Sequence, residues 1–295
     1  VVDARLDSGA VLAWFEAEGR SLPWRQTRDP WAVLAAELML QQTQVGRIVE
    51  RWPPFLERFP DAGACASVPV GDVIEAWSGL GYNRRAVNLH RCARRVVADH
   101  GGRLPRDLGD LLALPGIGPY TARAVRVFAY ELDDAVVDTN VARILARTTG
   151  RRLAARAAQD LADSLVPEGS GWPWNQALLD IGATHCRARA PRCSGCPLAP
   201  RCAWQVAGNP DPDPAVGSSG VSGRQSRFEG SDRQGRGRLV DALRTGPVDE
   251  SDLAGVMGWP GDEDRAQRVA ATVVADGLAE CQGTRLVLTG RSASR

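Results

Sequence analysis

The sequence predicts an all-α protein with a small helix-and-hairpin module at its C-terminal end, and three observations carry that reading. From residue 10 to about 206, apolar residues recur at the 3.6-residue spacing of helices. The helical segments are separated by Pro and Gly breaks such as "RFPDAG", "GGRLPRD" and "LPGIGPY". Alternating strand patterns are almost absent until the last helices are passed, where "LAEC-QG-TRLVLT" reads as a hairpin. The chain has 295 residues, 44% hydrophobic and 24% charged, enough for a sizeable core in a globular protein. No apolar run approaches a membrane span and no export-signal pattern follows the start, so the expected location is cytoplasmic.

A net charge of +1 gives no overall attraction to nucleic acid. Arg84, Arg85, Arg91, Arg94 and Arg95 do cluster in one helical stretch, where a solvated face is the ordinary outcome and phosphate contact the less common one. All 36 basic residues are arginine, and the chain contains no lysine.

In chain order, the first segment to raise a chemical question is "WAVLAAELMLQQTQVGR", residues 31–47. On a helix Glu37 has Val33 and Leu34 one turn back and Leu40 and Gln41 one turn on, a largely apolar face that disfavours an ionised carboxylate. Next, "LGDLLALPGIGPYTARAVRVFAY" places Gly116 and Gly118 in a tight turn between two apolar helices, with Pro119 at the start of the second. Such a helix-hairpin-helix directs backbone N–H groups at a phosphate without needing side-chain charge. In "AVVDTNVARIL" a second carboxylate, Asp138, closes an apolar stretch; taken alone it reads as a helix N-cap.

Cys186, Cys193, Cys196 and Cys202 then follow as C-x6-C-x2-C-x5-C. A cytoplasmic chain argues against disulfides, and four thiolates so close call for a cation. Ligand type alone leaves zinc and a [4Fe–4S] cluster both open. Cys65, Cys92 and Cys281 stand apart as isolated thiols. "AGNPDPDPAVGSSGVSGRQS" is too poor in apolar residues to order itself and reads as a linker over 207–226. Residues 227–295 read as three short helices and a hairpin, a winged-helix-like module. There Arg233, Arg236 and Arg238 offer either phosphate contacts or a solvated helix face.

Taken together, "LPWR" (22–25), "ELMLQQTQV" (37–45), "WSGLGY" (77–82), "LPGIGPYTA" (114–122), "VVDTNVARIL" (136–145), "NQALLDIGA" (175–183) and the cysteine loop resemble the endonuclease III superfamily of helix-hairpin-helix DNA glycosylases. Within it, "LQQT" after the glutamate and Tyr120 after "GIGP" resemble the adenine DNA glycosylase (MutY) branch. The resemblance implies two helical lobes within a catalytic region over 1–206. A six-helix barrel with the hairpin would span 22–132, and an iron–sulfur lobe would join 1–21 to 133–206 and carry a [4Fe–4S] cluster on the four cysteines.

It also implies a monofunctional enzyme of base excision repair that flips adenine out of duplex DNA, from opposite 8-oxoguanine or guanine, and hydrolyses its N-glycosidic bond. The lyase branch has a catalytic lysine where Tyr120 stands, so a lysine-based Schiff base is excluded here. Glu37 would protonate adenine, which requires its pKa to climb from the ordinary glutamate range toward neutrality. Asp138 would stay ionised and stabilise the oxocarbenium ion or form a covalent intermediate, with Tyr120 and Asn140 in support. Arg25, Leu40 and Gln176 would line the adenine pocket. Gln42 would wedge beside the opposite base, with Thr43, Leu80 and Tyr82 holding it and Gly116 and Gly118 on the backbone; core packing for Leu80 and a solvated face for Gln42 are the plain alternatives.

Two departures are visible, Asn83 where a second aromatic is common and Thr139 where glycine is usual. A larger one is the C-terminal module, too short and wrongly patterned to be Nudix-like. The expected partner is mismatched double-stranded DNA, with no membrane, and the chain is expected to act as a monomer. Competing readings are a thymine/uracil mismatch glycosylase of the same fold and a non-catalytic iron–sulfur DNA-binding regulator.

Overall fold

The computed structural model describes residues 6–220 and 227–290. The chain divides into two compact units, one from Val1–Val33 with Gly118–Arg224 and the other from Leu34–Ile117 with Gln225–Arg295. Both are helical, as the apolar spacing predicts, and the only sheet among the described residues is the small one of the C-terminal module.

The first unit packs Ser8–Glu18 and Thr139–Thr149 against Gly171–Thr184. Local chemistry sets the helix ends. Asp7 accepts the Ala10 N–H at 3.0 Å to start the first helix, and Gly150 ends Thr139–Thr149 in the left-handed region at φ 66°. Val11, Val141, Ile144, Leu145, Trp174 and Ile181 fill the core between these helices. The N-terminal segment is tied in by an ion pair. Asp180, fully buried, accepts two hydrogen bonds from Arg25 (2.7 and 2.8 Å) and further ones from the Arg20 guanidinium (2.7 Å) and backbone (2.9 Å).

The expected linker is partly ordered. Asp213 pairs with buried Arg147 at 2.7 Å, Ala215 is fully buried, and the Ser219 N–H donates to the Leu153 carbonyl at 3.1 Å. Gly220 lies against the Arg143 backbone, where a Cβ would stand 2.5 Å from its atoms. Low apolar content hid this anchoring because it relies on one charge and one close backbone approach. The last part of the expected linker, 221–226, lies outside the described residues.

In the second unit, Pro30–Leu40 contributes its C-terminal part, followed by Val45–Arg58, Ala62–Ser67, Val70–Ala76, Arg84–His100 and Leu108–Ala113. Phe55 meets Phe59 and Trp77 at ring distances of 5.0 and 5.8 Å within the core. Cys65 and Cys92 are buried there, which pushes both thiols up to about 12; Cys281 is exposed.

The same unit contains the C-terminal module. Helices Asp232–Thr245, Leu253–Met257 and Glu263–Ala275 accompany an antiparallel sheet of β1 (Val248–Asp249), β2 (Ala279–Gln282) and β3 (Arg285–Leu288), in the order β1-β3-β2. The expected hairpin is β2–β3, with Cys281 opposite Leu286; β1 is an addition too short to show as a pattern. No described helix is long and apolar enough to cross a membrane.

Burial alone would raise the pKa of Asp180, but the Arg25 and Arg20 hydrogen bonds outweigh it and hold the carboxyl below the ordinary aspartate range. That stabilisation is complete above the ordinary range and is lost as pH falls through the depressed value. Asp180→Ala is expected to cost about 3–5 kcal/mol near neutral pH by orphaning the arginines. Denaturant melts should show the gap to wild type narrowing in acid.

Candidate active site and nucleic-acid interface

Glu37 lies on Pro30–Leu40, a helix started by Asp29, whose carboxylate accepts the Ala32 N–H at 2.7 Å. The helix is buried almost all round: Val33, Leu34, Leu38 and Met39 are at most 2% exposed, and Glu37 itself only 6%. Leu40, at the helix end, is half-buried.

The helix stops at a buried guanidinium. Arg85, expected on a charged surface, is 7% exposed and donates to the carbonyls of Leu38, Met39 and Gln41 at 2.7, 2.8 and 2.6 Å. A cation here satisfies carbonyls left without intrahelical donors. Arg85 also donates to Thr43 Oγ1 (3.0 Å) and to the carbonyls of Leu80 (3.2 Å) and Gly81 (3.0 Å). Thr43, Leu80 and Tyr82 are therefore gathered around one side chain, and Gln42 lies in the chain between two of its partners, Gln41 and Thr43. Leu80 is 2% exposed, so its side chain packs in the core; its carbonyl accepts from Thr43 Oγ1 at 3.3 Å. Gln42 is exposed and Tyr82 is 42% exposed. Both adopt left-handed backbone, at φ 55° and 44°, a strain of about 1–3 kcal/mol each for non-glycine residues that concentrates at functional sites.

These loops form one wall of a groove of about 690 Å³ within the same unit. Its other wall comes from the C-terminal module through Phe228, Arg233 and Arg236. The module is latched to its neighbours by charge. Arg233 donates to Tyr82 Oη at 3.2 Å, Arg244 donates to Asn83 Oδ1 at 3.0 Å, and Asp276 pairs with both Arg84 (3.2 Å) and Arg236. Asn83, a departure from the resembled family, is thus the seat of a module residue. Arg238 lies against the Met257 carbonyl at 3.4 Å. The hairpin turn is open: Gly116 and Gly118 are exposed, and Gly116 sits at φ 79° where a Cβ would meet Asn88 at 2.6 Å.

Asp138 belongs to the other unit. It is the N-cap of Thr139–Thr149, accepting the Val141 N–H at 2.8 Å on one oxygen and Asn140 Nδ2 at 2.7 Å on the other. Burial raises its pKa, opposed by those hydrogen bonds and by the charge of Arg143. Asn140 is oriented from behind, because Arg143 donates to its Oδ1 at 2.7 Å and also to the Cys186 carbonyl at 2.6 Å. Asn175 accepts the Val136 N–H at 2.7 Å and so steadies the segment leading to Asp138. Gln176, next to it, is 4% exposed, and Tyr120 is half-buried in the first turn of Pro119–Phe128. Arg25, expected to line an adenine pocket, gives both terminal nitrogens to Asp180.

Cys186, Cys193, Cys196 and Cys202 line one cavity with Arg147, His185 and Arg192. Arg147 approaches the Cys186 thiol at 3.4 Å, and the Cys202 thiol donates to the Arg147 carbonyl at 3.3 Å. Burial pushes Cys196 up to about 11, with the other three thiols adding to the shift. Among the described residues no group of three His, Cys, Asp or Glu side chains is arranged to hold a metal ion. Four cysteines on one cavity, with an arginine beside one thiol, are a donor set whose chemistry fits a thiolate-held group.

Residues 35–166 match the family described as "HhH-GPD superfamily base excision DNA repair protein". The adenine DNA glycosylase of Mycobacterium tuberculosis is 42% identical, over 91% of this chain and 88% of that protein. That of Mycolicibacterium smegmatis is also 42% identical, over 92% and 91%. Such coverage runs well into the C-terminal module. A solved thermostable thymine-DNA glycosylase is 32% identical, covering 68% of this chain and 94% of its own, with a TM-score of 0.65. The chain belongs to the HhH-GPD superfamily of base excision DNA repair proteins, in its MutY-like branch.

Sequence reasoning missed Arg85, Arg143 and Asp180, because nothing in an isolated Arg or Asp announces burial. Gly182 shows how tightly Asn140 is held: a Cβ there would stand 2.5 Å from the Asn140 Cβ. Gly182→Ala is expected to cost about 1–3 kcal/mol by overpacking. It should also slow catalysis by displacing Asn140 from Asp138, as single-turnover rates would report.

Proposed function

We propose that the chain is a monofunctional DNA glycosylase that hydrolyses the N-glycosidic bond of adenine mispaired with 8-oxoguanine or guanine in duplex DNA. The observation that carries this reading is Glu37, a carboxylate 6% exposed on an otherwise apolar helix, in a chain 42% identical to adenine DNA glycosylases over most of its length. Glu37 gives a proton to N7 of the flipped adenine. The bond from C1′ to N9 then breaks, its electron pair leaving with the base. Asp138 faces the positive charge developing at C1′, either as an ion or by transient attack, and water completes the exchange. Asn140 and its Arg143 support hold the Asp138 carboxylate in place. Tyr120, Leu40 and Gln176 are the further residues of this site. Arg25 acts on it through Asp180, as a residue that positions the N-terminal segment.

Gln42 and Tyr82 present the surface for the opposite base, and the Gly116–Gly118 turn binds phosphate through its backbone. Cys186, Cys193, Cys196 and Cys202 would hold a [4Fe–4S] cluster. When bound, that group supplies a cross-link that fixes the loop following Gly171–Thr184. The absence of lysine from these 295 residues supports base release without strand cleavage through a lysine Schiff base.

The test is base release from duplexes pairing adenine with 8-oxoguanine or guanine, with a thymine·guanine duplex alongside. Adenine release without strand cleavage, reduced at least about a hundredfold in Glu37→Gln, is expected. Thymine release in its place would favour the activity named for the thymine-DNA glycosylase neighbour. Binding without release would favour a regulator. Because burial raises Asp138 and the role requires its ionised form, the acid limb of the pH–rate profile should lie above the ordinary aspartate value. A limb at the ordinary value would remove Asp138 from that role.

A further inference from the structure

Arg85 spends its whole guanidinium on two separate segments of backbone. One is the stretch from Leu38 to Thr43 that ends the Glu37 helix, and the other runs from Leu80 to Tyr82, whose carbonyl accepts from Arg85 Nε at 3.3 Å. The cation also lies over the rings of Trp77 and Tyr82, at 5.4 and 5.7 Å. Burial lowers its pKa to about 10, which leaves it charged at neutral pH. Each segment contains one non-glycine residue in left-handed backbone, Gln42 and Tyr82. These are the two exposed side chains of the pair of loops. The groove they border, about 690 Å³, falls within the range of about 300–1,000 Å³ typical of ligand sites.

We propose that Arg85 is a positioning residue for recognition of the base opposite the excised adenine. By holding both loops at once, it fixes Gln42 and Tyr82 in the conformations that aim them at that base, and keeps them in register with the helix that carries Glu37. This rests on the DNA glycosylase reading above. A planar fork of five donors performs this task and an ammonium does not, since lysine cannot reach two diverging sets of carbonyls.

The test uses the full-length chain and a duplex pairing adenine with 8-oxoguanine, with 2-aminopurine beside the 8-oxoguanine. Wedging of Gln42 beside the 8-oxoguanine, with Tyr82 holding that base, is expected to unstack the probe and raise its fluorescence. Arg85→Lys and Arg85→Met are compared with wild type, with cooperative melting as the check on folding. The fluorescence rise is expected to fall in the order wild type, Lys, Met, with duplex binding at least about tenfold weaker in Met. A folded Met variant with the wild-type rise would overturn the proposal. Should Met fail to fold, Lys decides: a reduced rise in a folded Lys variant supports the proposal, and a full rise refutes it. Adenine release is read separately, so a wild type that unstacks the probe without releasing adenine would sink the catalytic reading alone.

Discussion

A buried guanidinium can be retained only if nearly every one of its donors finds an acceptor, because an unpaired buried charge costs several kcal/mol. That constraint organises much of this protein. Arg25 closes on Asp180 and ties the N-terminal segment to the helix Gly171–Thr184. Arg143 spans Asn140 and the Cys186 carbonyl, and Arg147 spans Asp213 and the Arg187 carbonyl. Arg85 gathers the end of one helix and two loops. In each case the flat fork joins segments distant in sequence. These sites need arginine specifically, whatever the origin of its exclusive use in this chain.

The two acids occupy contrasting surroundings. Glu37 is buried on a helix whose other residues are apolar, and Asp138 caps a helix with a backbone N–H and an amide on its oxygens and a cation nearby. Asp138 is a helix N-cap in the ordinary sense, and its second oxygen is fixed by Asn140. The chemical use proposed for this carboxylate is compatible with its structural one, since capping is what immobilises it. The C-terminal module adds a wall to the groove beside Tyr82 and reaches it through Arg233 and Arg244.

Much of this was legible from local pattern. Helical periodicity gave the all-α body, "LPGIG" the turn, and "LAEC-QG-TRLVLT" the hairpin, because each depends on residues near one another in the chain. What was hidden depends on distant partners. Nothing in "GYNRRAVNL" distinguishes Arg84, which reaches Asp276 on the surface, from Arg85, buried one residue later. Low apolar content also suggested that the stretch after Val206 would stay free, yet Asp213 and Gly220 anchor it through one ion pair and one bare backbone contact. Through "LPWR" the resemblance placed Arg25 in the adenine pocket, and its pairing with Asp180 was hidden because that carboxylate lies 155 positions away.

The central claim of the proposed function is that Glu37 and Asp138 both serve the hydrolysis of the same N-glycosidic bond. A double-mutant cycle with Glu37→Gln and Asp138→Asn, read as single-turnover adenine release, tests it most directly. Groups that work as a unit are strongly non-additive, so the double variant should be little slower than the slower single variant. If the two losses simply multiply, the acids act independently and the account of a joint role is wrong.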